Sequence, residues 1–140
     1  EHPNQPGFLT TGRAGFSGSR DGAWATVHPS SEVYDTLGNH NLSNGTFTAP
    51  CGGRFLFYVF GLVYPMAETN FSQMKFIRNG STYGQLVQFN GTGGNHRNFS
   101  MSLVAALNKN DTFAHQYYRT SGQSQDPYSS QWNWGGYMVG

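Results

Sequence analysis

The sequence carries little charge, has one cysteine and lacks a long apolar run. Charged residues make up 11% of the 140 residues, and the formal net charge is +1. The chain therefore lacks the basic surface that binds nucleic acids or anionic membranes. Cys51 cannot form an intrachain disulfide, and a free cysteine is most often a small buried residue, with chain linkage or nucleophilic chemistry as alternatives. No apolar stretch approaches the roughly 20 residues that span a bilayer.

Glycines, aromatic residues and uncharged polar residues are abundant instead. The chain contains 19 glycines and six prolines, and 16% of its residues are aromatic. Frequent glycine and proline favour short strands over long helices. A surface of Asn, Ser, Thr, Gln and Tyr is typical of a lectin or a capsid spike. The length predicts a single domain, which we place at residues 13–140 after a leader or linker at residues 1–12.

Local patterns indicate an all-β chain. Residues 54–64 (RFLFYVFGLVY) have no polar face, which predicts a strand covered on both sides. Asn79-Gly80 lies between the apolar runs 71–78 and 83–89 and predicts a tight hairpin, because both residues accept positive φ. Eight to ten strands recur about every ten residues, with no convincing helix. This spacing is typical of a β-sandwich or jelly roll.

An ordered set of motifs resembles the globular head of complement C1q. The resemblance runs from about residue 6 to residue 140. It comprises PGF at 6–8, GNHN at 38–41, GTFTAP at 45–50, GRFLF at 53–57, MKFIRNG at 74–80, LNKND at 107–111 and SSQWNWGGYMVG at 129–140.

The resemblance implies a ten-stranded jelly roll of the tumour necrosis factor type, assembled as a compact homotrimer. The aromatic content agrees, because it exceeds what the inside of a thin sandwich needs and a large exposed apolar patch is uncommon on a monomer. A head-to-tail contact that closes after three copies would bury the excess. The predicted trimer interface comprises Phe55, Phe57, Tyr58, Phe60, Tyr117, Trp134 and Tyr137.

Catalytic constellations are missing from the sequence. The seven acidic residues are scattered singly, and the five histidines form none of the spacings typical of zinc sites. We therefore expect a non-enzymatic protein without a cofactor. Calcium at Asp111 and Asp126 is the alternative, because some relatives of the C1q family hold this ion and loop carboxylates are suitable ligands.

Two loops are the candidate ligand-binding surface. Residues 90–97 and 122–131 combine amides, hydroxyls and aromatic rings, the groups that bind the hydroxyls and apolar faces of a sugar. The candidate ligand-binding residues are Asn95, His96, Arg97, Gln125, Asp126, Tyr128 and Gln131.

The low charge and the lack of disulfides favour a receptor-binding head of a phage or viral fibre, located extracellularly or on the virion surface. Its partners would be two further copies of itself and a cell-surface glycan or protein. A secreted C1q-type lectin or immune recognition module and a purely structural trimerisation knob are the alternatives. Seven Asn-x-Ser/Thr sequons would be glycosylation sites in a secreted eukaryotic protein. They lie at Asn41, Asn44, Asn70, Asn79, Asn90, Asn98 and Asn110.

Overall fold

A computed structural model describes residues 5–64, 71–91 and 96–140. This part of the chain is all-β, and none of it forms a helix that is long and apolar enough to cross a membrane. The strands it contains are β1 (Gly7–Thr11), β2 (Gly15–Ser17), β3 (Ala25–His28), β4 (Ser31–Asp35), β5 (His40–Asn41), β6 (Thr46–Thr48), β7 (Gly53–Tyr64), β8 (Phe71–Arg78), β9 (Ser81–Asn90), β10 (Arg97–Leu107), β11 (Thr112–Arg119) and β12 (Asp126–Met138).

The strands form two antiparallel sheets packed face to face. The first sheet has the order β10-β7-β12-β1-β4. In the second, β11 pairs with β8 on one side and with β3 and β6 on the other, β9 extends the sheet beyond β8, and β2 and β5 complete it. Strands β9 and β10 therefore lie at the same side of the sandwich, where Phe89 and Phe99 pack with ring centroids 4.8 Å apart.

Aromatic rings from both sheets fill the core. Phe57 of β7 stacks on Phe113 of β11 with 4.1 Å between ring centroids. Phe8 of β1 lies against Trp134 of β12 at 5.2 Å. All four side chains are fully buried, so the interior is a continuous apolar layer between the sheets.

The predicted hairpin at Asn79-Gly80 is confirmed. These two residues join β8 to β9 with φ values of 50° and 81°. The Asn79 side chain adds a second function, because its carbonyl accepts the Thr112 N–H at 2.8 Å and its amide donates to Asp111 at 3.0 Å. The turn is therefore tied to the start of β11.

The N-terminal boundary predicted at residue 12 is wrong. Residues 7–11 form β1, which lies between β12 and β4 in the first sheet, and Phe8 and Thr10 are fully buried. The turn-rich interpretation of residues 29–44 also missed β4 and the two-residue β5. Short strands leave little alternation in a sequence, which is why eight to ten strands were predicted where the described residues contain twelve.

Strand β7 has one buried and one partly exposed face. Phe55, Phe57 and Val59 point into the core and are fully buried, whereas Phe60 and Tyr64 on the outer face are 45% and 41% exposed. The prediction that the strand is covered on both sides therefore holds only for its inner face in a single chain. Among the described residues, no further strand covers this outer face, which is mostly apolar.

Candidate functional site

Strand register places the described residues of the two candidate ligand loops at one end of the sandwich. Strand β1 begins opposite the end of β12, since Gly7 pairs with Tyr137. At the other end of the same sheet, Tyr64 pairs with Asp126, and Arg97 pairs with Val63. We call this second end, where β7 stops and β10 and β12 start, the distal end.

A four-residue bulge in β12 shapes the distal end. Pro127 pairs with Val63 and Trp132 pairs with Gly61, so residues 128–131 project from the sheet opposite a single residue of β7. Gly61 makes room for the bulge, because a Cβ there would lie 2.3 Å from the Gln131 carbonyl oxygen.

The end of β1 holds the bulge in place. The Gly12 N–H donates to the Trp132 carbonyl at 2.7 Å, and the Arg13 N–H donates to the Ser129 carbonyl at 2.9 Å. The Arg13 guanidinium also donates to the Pro127 carbonyl at 3.1 Å. The projecting residues therefore sit on a hydrogen-bonded base.

Three aromatic rings meet beside this bulge. His96 stacks on Tyr64 with ring centroids 4.7 Å apart and planes 29° from parallel. Tyr128 stands at 80° to both rings, 5.9 Å from Tyr64 and 5.7 Å from His96. Tyr128 is 36% exposed, so the three rings form an open corner facing solvent. We call Tyr64, His96 and Tyr128 the aromatic corner.

A shallow groove of about 530 Å³ lies next to the aromatic corner on the outer face of the first sheet. Leu62 of β7 pairs with Asn98 of β10, and each lies two residues along the chain from Tyr64 and His96, respectively. Among the described residues, the Asn98 and Gln131 side chains form no hydrogen bond, and both are exposed. The residues lining the groove are Phe60, Gly61, Leu62, Asn98, Phe99, Ser100, Gln131 and Asn133.

The candidate ligand residues separate into accessible and buried ones. His96, Tyr128 and Gln131 are exposed at the distal end, and Arg97 is half-buried beside them. The assignment of Gln125 to ligand binding is wrong, because its side chain is fully buried and its amide donates to the Phe71 carbonyl at 2.9 Å. Asn95 lies outside the described residues.

Asp126 also has a structural role in place of the predicted ligand role. Its carboxylate receives two hydrogen bonds from Arg20, at 2.9 and 2.7 Å, and one from Arg119 at 3.2 Å. The hydrogen bond with Asp126 raises the pKa of Arg20. Arg119 further contacts Asp21 at 3.4 Å. The two guanidinium groups occupy the carboxylate positions that a cation or a ligand would need.

The ion-pair network predicts a stability effect for Asp126→Asn. We expect the free energy of unfolding to fall by about 1–2 kcal/mol, because two partly buried guanidinium groups lose their counter-charge while some solvent screening remains. Urea unfolding followed by circular dichroism measures the change. Asp21→Asn is the matched control, and its effect should be smaller because that side chain is more exposed. An unchanged urea midpoint for Asp126→Asn would contradict the structural role of Asp126.

Asp111 is likewise engaged within the chain. It accepts hydrogen bonds from the Asn79 amide and the Asn108 N–H, and these contacts lower the pKa of Asp111. In the described ranges, no three His, Cys, Asp or Glu side chains cluster in a way that could hold a metal ion. The geometry therefore gives no support to the calcium alternative at Asp111 and Asp126.

The predicted trimer-interface residues also divide into two sets. Phe55, Phe57, Tyr117 and Trp134 are fully buried in the core of one chain, so the interface role is wrong for these four. For Phe55 and Phe57 the inward position follows from strand alternation, which the nearly all-apolar sequence of β7 concealed. Tyr58, Phe60 and Tyr137 lie on the outer face of the first sheet, where Phe60 and Tyr137 are 45% and 43% exposed.

Sequence reasoning missed Tyr64 and Tyr34 as surface residues. Tyr64 was included in a strand expected to be covered, although it shares the outward alternation of Phe60. Tyr34 lies in β4, a strand that was interpreted as turn. An outward position could have been inferred for Tyr64 from the two-residue period alone, once one face of β7 was assigned to the core.

Comparisons with known proteins identify the fold. No protein-family model and no curated protein matches the chain. The globular domain of zebrafish complement 1qA is similar in structure, with a TM-score of 0.69 and 14% identity over 97% of this chain and 98% of that one. Murine APRIL, a tumour necrosis factor family protein, matches with a TM-score of 0.67 and 10% identity over 96% and 99% of the two chains. The predicted all-β jelly roll of the C1q and tumour necrosis factor type is therefore confirmed.

Proposed function

We propose that this chain, which has the C1q and tumour necrosis factor jelly-roll fold, is a non-catalytic extracellular recognition domain. It assembles as a homotrimer and binds a receptor through its distal end. More specifically, we propose that the domain is the head of a phage or viral fibre and attaches to a cell-surface glycan or protein. The assembly is supported by two exposed apolar surfaces on one chain, one on the outer face of the first sheet and one at the side of the sandwich.

The first apolar surface is the outer face of the first sheet. Tyr58 lies across Gly135, where a Cβ would be 2.5 Å from the tyrosine hydroxyl oxygen, and burial together with the nearby Tyr34 raises the pKa of Tyr58 to about 12. Phe60 and Tyr137 remain more than 40% exposed on the same face. An exposed patch of this kind usually marks an interaction surface.

The second apolar surface is the edge strand β9 at the side of the sandwich. Leu86 and Val87 on this strand are 47% and 38% exposed, whereas exposed Val104 of β10 belongs to the outer face of the first sheet, since Val104 and Tyr137 both pair with Leu56. Strand β9 pairs only with β8 among the described strands, so its other edge is open. An open edge bearing apolar side chains is normally covered by another element.

A contact between the side of one copy and the face of the next would cover both surfaces. Such a contact is heterologous, because it joins two different patches, and heterologous contacts either close into rings or grow into filaments. Closure after three copies leaves neither patch exposed. The trimer proposed from the resemblance is thus supported by the positions of the exposed side chains themselves.

Two charge substitutions test this assembly. Tyr137→Arg on the face and Leu86→Arg on the side should each abolish the trimer at micromolar concentration, because each leaves an unpaired charge in the contact. Leu37→Arg adds the same charge at an exposed apolar site in the β4–β5 turn, outside both surfaces, and should remain trimeric. Light scattering gives the mass of each variant.

Mixing the two disrupted variants distinguishes the geometry of the contact. One chain keeps an intact side and the other keeps an intact face, so a heterologous contact predicts a dimer of the two variants. A face-to-face contact predicts instead that Leu86→Arg alone still associates. A wild-type chain that is monomeric at every concentration would contradict the proposed assembly.

Recognition, rather than catalysis, is supported by the state of the titratable groups. Asp126 at the distal end is held between two arginines, and His115 is fully buried against Trp132. A general acid or base must reach its substrate and exchange a proton with it. Exposed aromatic and amide groups at the distal end instead provide contacts for binding.

A further inference from the structure

The aromatic corner has the form of a binding site for a sugar ring. We propose that Tyr64, His96 and Tyr128 bind the pyranose ring of a neutral hexose or N-acetylhexosamine; this inference rests on the proposed recognition function and names its ligand class. The corner lies at the distal end of the first sheet and Tyr137 of the assembly face lies at the opposite end of β12, while Phe60 lies between them and lines the groove beside the corner.

Ring geometry is the first argument. The ring planes of Tyr64 and Tyr128 are at 80° to each other, and their centroids are 5.9 Å apart. Together the two rings therefore present one ring face and one ring edge to a single ligand. One face of a pyranose carries C–H groups, and these pack on the electron-rich face of an aromatic ring. His96 stacks on one face of the Tyr64 ring and restricts the orientation of that ring.

Rigidity of the support is the second argument. Tyr128 belongs to the β12 bulge, whose backbone is hydrogen-bonded to Gly12 and Arg13. Tyr64 ends a long strand paired on both sides, with β10 and β12. Two exposed rings held on a pre-formed base lose little conformational entropy when a ligand binds.

The polar surroundings are the third argument. Asn98 and Gln131 line the adjoining groove with exposed amides, each of which both donates and accepts hydrogen bonds. Sugar hydroxyls need this combination of donors and acceptors. Hydroxyl and amide groups at a shallow groove, next to aromatic rings, suit a polyhydroxylated ligand better than an apolar one.

Charge at the corner favours a neutral sugar. Asp126, the register partner of Tyr64, has its carboxylate neutralised by Arg20 and Arg119. Arg97 is the charged neighbour along β10, and it occupies a position that pairs with buried Val63, whereas Leu62 and Asn98 pair on the outer face. By strand alternation, Arg97 therefore points to the opposite side of β10 from Asn98.

Binding of simple glycosides to the full chain tests the inference. Methyl glycosides of glucose, galactose, mannose and N-acetylglucosamine are added in millimolar amounts, and saturation-transfer NMR detects the bound ring. We expect at least one glycoside to bind through the C–H groups of one ring face. Tyr128→Ala should weaken its binding about tenfold, which corresponds to about 1.4 kcal/mol, since the variant loses one of the rings that contact the sugar. Tyr128→Phe should retain most of it.

Controls separate the sugar site from the fold and from the assembly. Tyr64→Ala is a second disruptive variant, and Leu37→Ala removes an exposed apolar side chain outside the corner and should bind normally. Each variant is checked by light scattering and circular dichroism. A corner variant that dissociates the assembly would overturn the sugar site and make the corner part of the subunit contact.

The remaining outcomes distinguish failure of the inference from failure of the proposed function. A trimer that binds cells or a protein receptor but no glycoside would overturn the sugar inference and leave the recognition function standing. Binding only to sialylated or sulfated glycans, with Arg97→Gln abolishing it, would overturn the neutral ligand class. A monomer that binds nothing would contradict the proposed function itself.

Discussion

Replacing Trp134 by alanine is expected to lower the free energy of unfolding by about 3–5 kcal/mol, the range for a large aromatic ring removed from a packed core. The ring is fully buried and lies against Phe8, Phe57 and His115, at centroid distances of 5.2, 5.6 and 4.9 Å. It bridges the two sheets at the centre of the aromatic layer. Its removal would leave a cavity lined by rings that cannot collapse together.

Loss of a hydrogen bond adds to the effect. The Trp134 Nε1–H donates to the Gly45 carbonyl at 3.2 Å in the core. Gly45 itself is confined, with φ of 72° and the Val27 carbonyl oxygen 2.2 Å from where a Cβ would lie. The loop that presents the carbonyl therefore has little freedom to find another partner. A buried acceptor without a donor is destabilising by about 1–3 kcal/mol.

Urea unfolding followed by far-UV circular dichroism measures the Trp134→Ala effect without relying on the tryptophan signal. Trp134→Phe should recover part of the loss, since it restores most of the packing but not the donor. Leu37→Ala is the control, because that side chain is 43% exposed in the β4–β5 turn, lies outside both apolar surfaces and should change the free energy of unfolding little. A folded Trp134→Ala chain with an unchanged midpoint and a lost trimer would contradict the core assignment and restore the interface role.

Acid should destabilise the fold through two buried histidines. Burial lowers the pKa of His115 to about 3, with a further lowering from His40 nearby. Burial also lowers the pKa of His40, although Glu32 and Asp35 partly oppose it. Both rings are therefore neutral in the folded chain at pH values where the unfolded chain, with an ordinary pKa near 6.5, takes up protons.

The direction of the pH effect follows from this difference. Stability is complete above about pH 6.5 and is lost progressively as the pH falls toward 3, because the unfolded state binds more protons in that range. Each such histidine contributes up to about 1.4 kcal/mol per pH unit. His115 alone should therefore lower the free energy of unfolding by about 2 kcal/mol between pH 6.5 and pH 4.5.

Urea midpoints at pH 7.5, 6.5, 5.5 and 4.5 measure the pH dependence. His115→Gln keeps an acceptor for the Trp132 Nε1–H, which now donates to His115 at 3.2 Å, and removes the titrating group. Its midpoint should fall less steeply with acid, even where it is lower at neutral pH. His28→Gln, at a half-buried site, should change the slope less. If the urea midpoints of His115→Gln and the wild type fall equally steeply with decreasing pH, the proposed role of His115 is contradicted.

Local sequence signals predicted correctly those structures that depend only on residues adjacent in the chain. Asn79-Gly80 specified its hairpin because the positive φ values are a property of those two residues. Strand β1 was mistaken for a leader because two prolines and two glycines within residues 1–12 hide a short strand-forming run. Pairing with β12 and β4 on both sides makes that segment a strand, and these partners are distant in the chain.

The candidate site shows the same division. Tyr128 and His96 were accessible to prediction from their loop positions, since loops rich in polar residues lie at the surface. Gln125 and Asp126 lie in the same loop and were indistinguishable from them in sequence. Only the folded chain places Arg20 and Arg119 around Asp126 and the Phe71 carbonyl against Gln125.

The sequence by itself determined the all-β class and the sparsely charged composition, because short apolar runs and glycine positions act locally, and the resemblance of its ordered motifs to the C1q head implied the jelly-roll type. The tertiary structure alone decided which aromatic rings are core and which are surface. In strand β7 nearly every residue is apolar, so inward Phe57 and outward Phe60 differ only in the side of the sheet to which the register assigns them. The tertiary structure likewise decided that Tyr64, His96 and Tyr128 meet. Their contact depends on the end of β7 and the starts of β10 and β12 lying together at the distal end.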